Sequence, residues 1–426
     1  MLGGRSSLLT VIDQAVVSGS NFLTGILLVR GLGLHGFGQF TIAYTILLFA
    51  NSLQVSFVSA PMVTLAPGLA EPWSKLEYLR GMMGMQTLFC AGLSVLWVLC
   101  SALLCLFKPG LISLTFIAAY TATVALFQMQ DWLRRYYFCS RKAHEALWND
   151  TVSYFGQVIV LAVLLWLHRL SLSTAYWSIA LTSGVAMGLG LVRDRLTFSM
   201  HEVKKAWIPS RTMARNLTCA NVLQWLGSQG VLLSGAFVLG ASQAGGVRAA
   251  QNLLGPVHLA YQAMENIVPI RASEEAAIHG IEGARRYLRR FTIVGLVILT
   301  AMFLPLAIFS KSLLRTVYGP ATTPFWGIVV LQLAYLWVGL PWRQSVYLFR
   351  TIGKSHYIVW ANACASILAF SSVFLFMKEA GAAGIVMATI TGEVVGLTVM
   401  SAQWKLLHAR MKHQPGKGEL PARAST

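Results

Sequence analysis

Long apolar runs constrain this chain more than any other feature. Gly81 to Phe107, Thr292 to Phe309 and Ala382 to Trp404 each approach the roughly 20 residues a helix needs to cross a bilayer. Composition agrees: 56% of the 426 residues are apolar and 11% charged, where a soluble protein carries about a quarter charged residues. A soluble globular fold is excluded, and an all-α polytopic membrane protein is expected.

Twelve spans are expected near 8–29, 38–60, 81–106, 109–129, 150–168, 174–192, 216–239, 246–269, 291–309, 324–349, 355–377 and 382–404. An even number puts both termini on one side. If that side also holds the even-numbered loops, it carries 25 of the 33 Lys and Arg residues; the other side carries seven, and Arg343 lies inside a span. Basic loops stay in the cytoplasm, so both termini are expected there. The net charge of +18 then reflects cytoplasmic loops beside anionic lipid, and no nucleic-acid partner is expected. The organisation predicted is a six-helix lobe 1–193, a cytoplasmic linker 194–215, a second six-helix lobe 216–404 and a basic tail 405–426. The N-terminus runs directly into a long apolar block with no short leader core or small-residue cleavage site, so no cleaved leader is expected.

The longest polar stretches run only about 20 residues, too few for a folded domain, so no soluble catalytic or ATPase domain is expected. Gly353-Lys354-Ser355 resembles part of a phosphate loop, but Leu348 stands where the upstream Gly is required. Six cysteines lie scattered without CxxC or a His partner at metal spacing. They read as packing residues, and neither metal nor cofactor is expected.

A six-plus-six repeat is visible. Aligning residue 14 with 224 matches Gln14, Ser18, Leu23, Gly25 and Gly36 to Gln224, Ser228, Leu233, Gly235 and Gly246; Gln54 and Pro61 then match Gln262 and Pro269. Because spans 1 and 7 start on the same side, the repeats are parallel. Two six-helix lobes around a central cavity are expected.

Polar groups are costly at membrane depth and mark bundle interiors or hydrated cavities. In span 8, Arg248, Asn252, Gly255, His258, Gln262, Glu265 and Pro269 recur at steps of three or four, with Gln251 alongside. That spacing makes one helical stripe, longer and more charged than a helix seam requires, and it reads as a cavity wall. Span 1 adds Gln14 and Asn21 with Asp13 beside them, and span 2 adds Asn51 and Gln54; for the uncharged members, bonding between helices is an equally good reading. Arg343 in span 10 and Glu393 in span 12 complete the candidates. Asp13, Glu265 and Glu393 are the carboxylates available for ion coupling. Gly255-Pro256 and Gly339-Leu340-Pro341 are expected to break or kink their helices.

The strings VIDQAVVSGSNFLTGILLVRGLG (11–33), FANSLQVSFVSAPM (49–62), DWLRRYYFCSRKAHEALWNDTVSYFGQ (131–157) and VRAAQNLLGPVHLAYQAMENIVPIRAS (247–273) resemble bacterial polysaccharide-biosynthesis flippases, the Wzx-like branch of the multidrug/oligosaccharidyl-lipid/polysaccharide exporter superfamily. The resemblance implies two six-helix lobes in the inner membrane and a cationic lumen, to which Arg248 and Arg343 are the matching kind of residue. It also implies an undecaprenyl-pyrophosphate-linked oligosaccharide as cargo, the lipid bilayer as surroundings and a polysaccharide polymerase as partner. Glu265 and Glu393 depart from a cationic lumen and suit a cation-coupled multidrug exporter of the same superfamily. A membrane glycan polymerase would want a long external loop, and none here exceeds about a dozen residues.

Overall fold

The computed structural model describes residues 4–66, 69, 72–110, 112–194, 196 and 200–413. Every regular element among them is helical: α1 (Gly4–Gln54), a π-helical turn (Val55–Ser59), α2 (Ala60–Leu65), α3 (Pro72–Phe107), α4 (Leu114–Cys139), α5 (Ala143–Asp150), a second π turn (Thr151–Phe155), α6 (Gly156–Trp166), α7 (Leu172–Asp194), α8 (Met200–Leu239), α9 (Ala241–Leu253), α10 (Gly255–Tyr318), a 3-10 turn (Pro320–Phe325), α11 (Trp326–Thr351), α12 (Ser355–Ala380) and α13 (Ala382–His413). The protein is an all-α, multi-pass membrane protein.

Each expected span falls on these helices. Spans 1 and 2 run together as α1, reversing at Gly33, whose φ of 67° and ψ of 178° is a conformation open essentially to glycine alone. Among the described residues eight stretches are long and apolar enough to cross a membrane unaided. The helix of span 4 is not one of them, since α4 carries Gln128, Gln130 and Asp131.

The chain forms two compact units, Met1–Val222 and Leu223–Thr426. Both repeat the same special backbone positions in the same order: left-handed residues at Gly33 and Gly240, Gly110 and Gly319, Arg141 and Gly353, His168 and Gly381. The offsets, 207, 209, 212 and 213 residues, bracket the offset of 210 that aligns residue 14 with 224. Helices α4 and α11 are both 26 residues long, and the turns after them place Lys142 (φ −101°, ψ 55°) and Lys354 (φ −100°, ψ 48°) at matching positions. The Gly353-Lys354-Ser355 string is therefore a repeat of an inter-helix turn.

One expectation needs correcting, that of the cysteines as packing residues. Within the expected linker, residues 200–215 form the first four turns of α8. They pack within the first unit, where Ala206 and Ser210 are buried and Ser210 lies 2.9 Å from the Tyr78 hydroxyl. The tail begins as helix, since α13 continues to His413, and residues 414–426 lie outside the described residues. Of the six free cysteines Cys90 is buried, but Cys100, Cys219 and Cys364 are exposed on helix surfaces and do not fill the core.

The first unit's core joins Met62, Met82, Trp132, Leu133 and Tyr137, and next to it the hydroxyls of Tyr120 and Tyr176 donate to the carbonyls of Ala43 and Phe40, each at 2.8 Å. In the second unit Val268, Leu288, Phe349, Ala361 and Met400 form the corresponding centre.

Candidate functional site

The first unit holds a buried ionic cluster built from three helices. Arg134, in the last turns of α4, donates from Nη2 to Asp13 Oδ2 of α1 at 2.8 Å. Its Nε lies 2.6 Å from Asp150 Oδ2 at the end of α5, an ion pair by distance without the alignment of a hydrogen bond. Asp13 and Asp150 are 1% and 0% exposed, so both carboxylates depend on the guanidinium and its neighbours for solvation. Gln130, one turn before Arg134, donates to Asp150 Oδ1 and Asn149 Oδ1, both at 2.8 Å, and Asn149 donates in turn to the Ala186 carbonyl of α7. Asp131 pairs with Arg135 along α4 at 2.8 Å. Arg134, Gln130 and Asp131 share α4 at the spacing of one turn, which is why the cluster forms there.

The second unit places its arginine one turn away from the matching point of its own fourth long helix, α11. The Arg343 guanidinium lies 4.9 Å from the centre of the Tyr261 ring, within cation-π range. Tyr261 itself is buried and donates its hydroxyl to the Leu336 carbonyl. Glu393 of α13 lies near Arg343, Tyr335 and Tyr261, and its Oε2 is buried with no hydrogen-bond partner among the described residues. His258 is exposed and feels the positive charges of both Arg343 and Arg248. Arg248 and Gln251 are half-buried, with Arg248 Nη1 3.4 Å from Gln251 Oε1. The second unit thus holds both guanidinium groups in the neighbourhood of His258.

The expected stripe of span 8 is divided. Helix α9 stops at Leu253 and α10 begins at Gly255, with Leu254 (φ −91°, ψ 10°) between them, one residue before the Gly-Pro pair that forces the break. Arg248, Gln251 and Asn252 stand before it and His258 after it; the side chains of Gln262 and Glu265 lie outside the described residues. Pro341 sits inside a helix that α11 carries through unbroken.

In the first unit Gln54 is fully buried. It donates to Ser59 Oγ at 2.8 Å and to Gln86 Oε1 at 3.0 Å, and Gln86 donates to the Gln128 carbonyl, a chain that ties three helices together. Gln14 donates to Ser18 within α1 at 3.2 Å, Asn21 is exposed, and the half-buried Asn51 has a buried amide nitrogen with no partner among the described residues. Asp13 is the one expected residue that enters the ionic cluster. Apolarity alone ends the fourth span at 129 and leaves Arg134, with Gln130, Asp131 and Arg135, to a loop. A signal is nonetheless present in Gln130, Asp131 and Arg134, which continue the helical spacing into a string ending in Asp150.

No family model matches the chain, and no curated protein matches it significantly in sequence. Solved structures do. The lipid II flippase MurJ, in an inward closed conformation, superposes with a TM-score of 0.74 at 12% identity, covering 94% of this chain and 87% of that one. An inward-facing multidrug resistance MATE family transporter of the MOP superfamily gives 0.68 at 10% identity, covering 95% and 99%. A MOP superfamily transporter from Pyrococcus furiosus gives 0.60 at 12% identity, covering 96% and 95%. At such identities the likeness is one of architecture, and this chain has the fold of the MOP superfamily transporters.

Proposed function

We propose that this chain is a flippase of the bacterial inner membrane, carrying undecaprenyl-pyrophosphate-linked oligosaccharide repeat units from the cytoplasmic to the periplasmic leaflet for polysaccharide assembly. The observation that carries the reading is ionic: Asp13 and Asp150, buried in the first unit, are engaged by Arg134, and Glu393 stands beside Arg343. A pocket for cationic drugs needs carboxylates that its cargo can reach. Arg248 and Arg343 around His258 instead suit an anion, because a guanidinium presents a planar fork to phosphate oxygens. In this reading the two lobes are 1–193 and 216–404, joined through 194–215, both termini are cytoplasmic, and the polyprenyl tail stays in lipid while pyrophosphate and sugar traverse the polar path. Amides such as Asn21, Asn51 and Asn252 bond sugar hydroxyls, and a polysaccharide polymerase receives the product.

A cation-coupled multidrug exporter is the second reading. It draws on the likeness to MATE transporters and on the presence of two carboxylates, Asp13 and Asp150, around one guanidinium.

The test is to delete the gene in its host and extract the undecaprenyl-linked intermediates. Surface or secreted polysaccharide should stop while the lipid-linked unit accumulates, and Arg248→Ala should reproduce this at normal protein level. Unchanged polymer output, in a host without a second such transporter, sinks the reading.

A further inference from the structure

Four arginines crowd one exposed face of α10. After the reversal at Gly280 (φ 69°), Arg285, Arg286, Arg289 and Arg290 are all exposed within two turns. Arg285 and Arg289, and Arg286 and Arg290, are each four residues apart, so like charges are stacked along the helix, an arrangement that destabilises it by itself. One carboxylate stands near: Glu282 lies 3.7 Å from Arg285, and it also faces His408 at 3.6 Å. Arg285 is further occupied by the Trp404 ring, 5.3 Å away. Arg286, Arg289 and Arg290 form no ion pair among the described residues, which leaves the face three positive charges in excess.

Toward the C-terminus the same face turns apolar. Ile293 lies four residues after Arg289 and three after Arg290, and Val297 four beyond that; they are 54% and 66% exposed, with Val294 and Ile298 more than half exposed beside them. The stretch Arg271–Tyr318 is among the most apolar in the chain, and most residues of its most apolar segment are not buried in the protein. In a membrane protein such a surface meets lipid tails, so the arginines stand where the headgroups begin.

We propose that Arg286, Arg289 and Arg290 form a phosphate-binding site for an anionic phospholipid of the bilayer, with its acyl chains lying along Ile293 and Val297. Guanidinium groups bind phosphate oxygens in pairs, and an anion there relieves the repulsion along the helix. The face abuts lipid-exposed apolar residues, which is what selects a resident bilayer lipid as occupant. The proposal does not depend on what the protein transports.

The test uses the full-length protein and native mass spectrometry with equimolar phosphatidylglycerol, phosphatidylcholine or undecaprenyl diphosphate. Wild type should retain phosphatidylglycerol at collision energies that strip phosphatidylcholine. Replacing Arg286, Arg289 and Arg290 together by Gln should weaken that retention roughly tenfold or more, replacing all three by Lys should keep only part of it, since the charge stays but the fork to phosphate is lost, and Lys204→Gln with Arg211→Gln on α8 should leave it unchanged. Circular dichroism of the Gln variant checks its fold. Equal retention of the two phospholipids by wild type, full retention by the Gln variant, or displacement of phosphatidylglycerol by equimolar undecaprenyl diphosphate overturns the proposal.

Discussion

Arg134 Nη2 and Asp13 Oδ2 stand 2.8 Å apart, joining the first and fourth transmembrane helices of one unit through an ion pair that is almost wholly out of water. The same guanidinium reaches Asp150, so one cation holds two buried anions in place. Arg134→Ala should cost about 3–5 kcal/mol, since removing one partner strands buried charge. Asp13→Asn should cost less, because Arg134 keeps Asp150. Thermal unfolding of the purified protein in detergent gives the order; an Ala variant as stable as wild type would contradict the cluster.

The backbone reversal at Gly33 calls for a separate test. Gly33→Ala should destabilise by about 1–3 kcal/mol, the cost of holding a Cβ in that conformation, although nothing lies within 4 Å of where the Cβ would sit. Gly92→Ala, in the interior of α3 with equally open surroundings, should be neutral or stabilising by up to about 1 kcal/mol. The comparison separates conformational strain from steric contact, and equal effects at the two sites would show that strain is not the cause.

Packing, in contrast, governs Gly246. A Cβ there would come within 2.1 Å of the Phe325 ring, so Gly246→Ala should lower the yield of folded protein, and Phe325→Leu should restore part of it. Failure of the second change to restore anything would place the defect elsewhere.

Around the break between α9 and α10, accessibility should track the helix faces. In a background without the native cysteines, single cysteines at 248, 252 and 258 should react with a membrane-impermeant thiol reagent, whereas those at 250, 253 and 257, which are buried, should not. Arg248→Lys should restore only part of the export lost in Arg248→Ala, since the fork to phosphate is gone. Low labelling at all six, with export intact in Arg248→Ala, would remove this wall from the transport path.

Orientation has its own check. A periplasm-active reporter fused after Thr426 should stay silent if the termini are cytoplasmic, as the 25 to 7 distribution of basic residues implies. Strong activity would invert the topology.

The span positions and the six-plus-six repetition are legible in the sequence because both are local: apolar length sets where helices cross lipid, and the left-handed turns at Gly33 and Gly240 or Gly110 and Gly319 recur at near-constant distance along the chain. Helix α4 is legible only in part, since its charged end, Asp131 to Arg135, reads as loop until a partner for Arg134 is in view. That partner is a tertiary matter. Asp13 and Asp150 lie 121 and 16 residues from Arg134 along the chain, and no spacing rule links them; packing of α1, α4 and α5 brings them together and makes their burial tolerable. The same holds for Gln54, whose spacing allows a cavity or a seam and whose burial against Gln86 decides for the seam. Periodicity along a helix tells which residues share a face, but only the neighbouring helices determine whether that face meets protein, lipid or water.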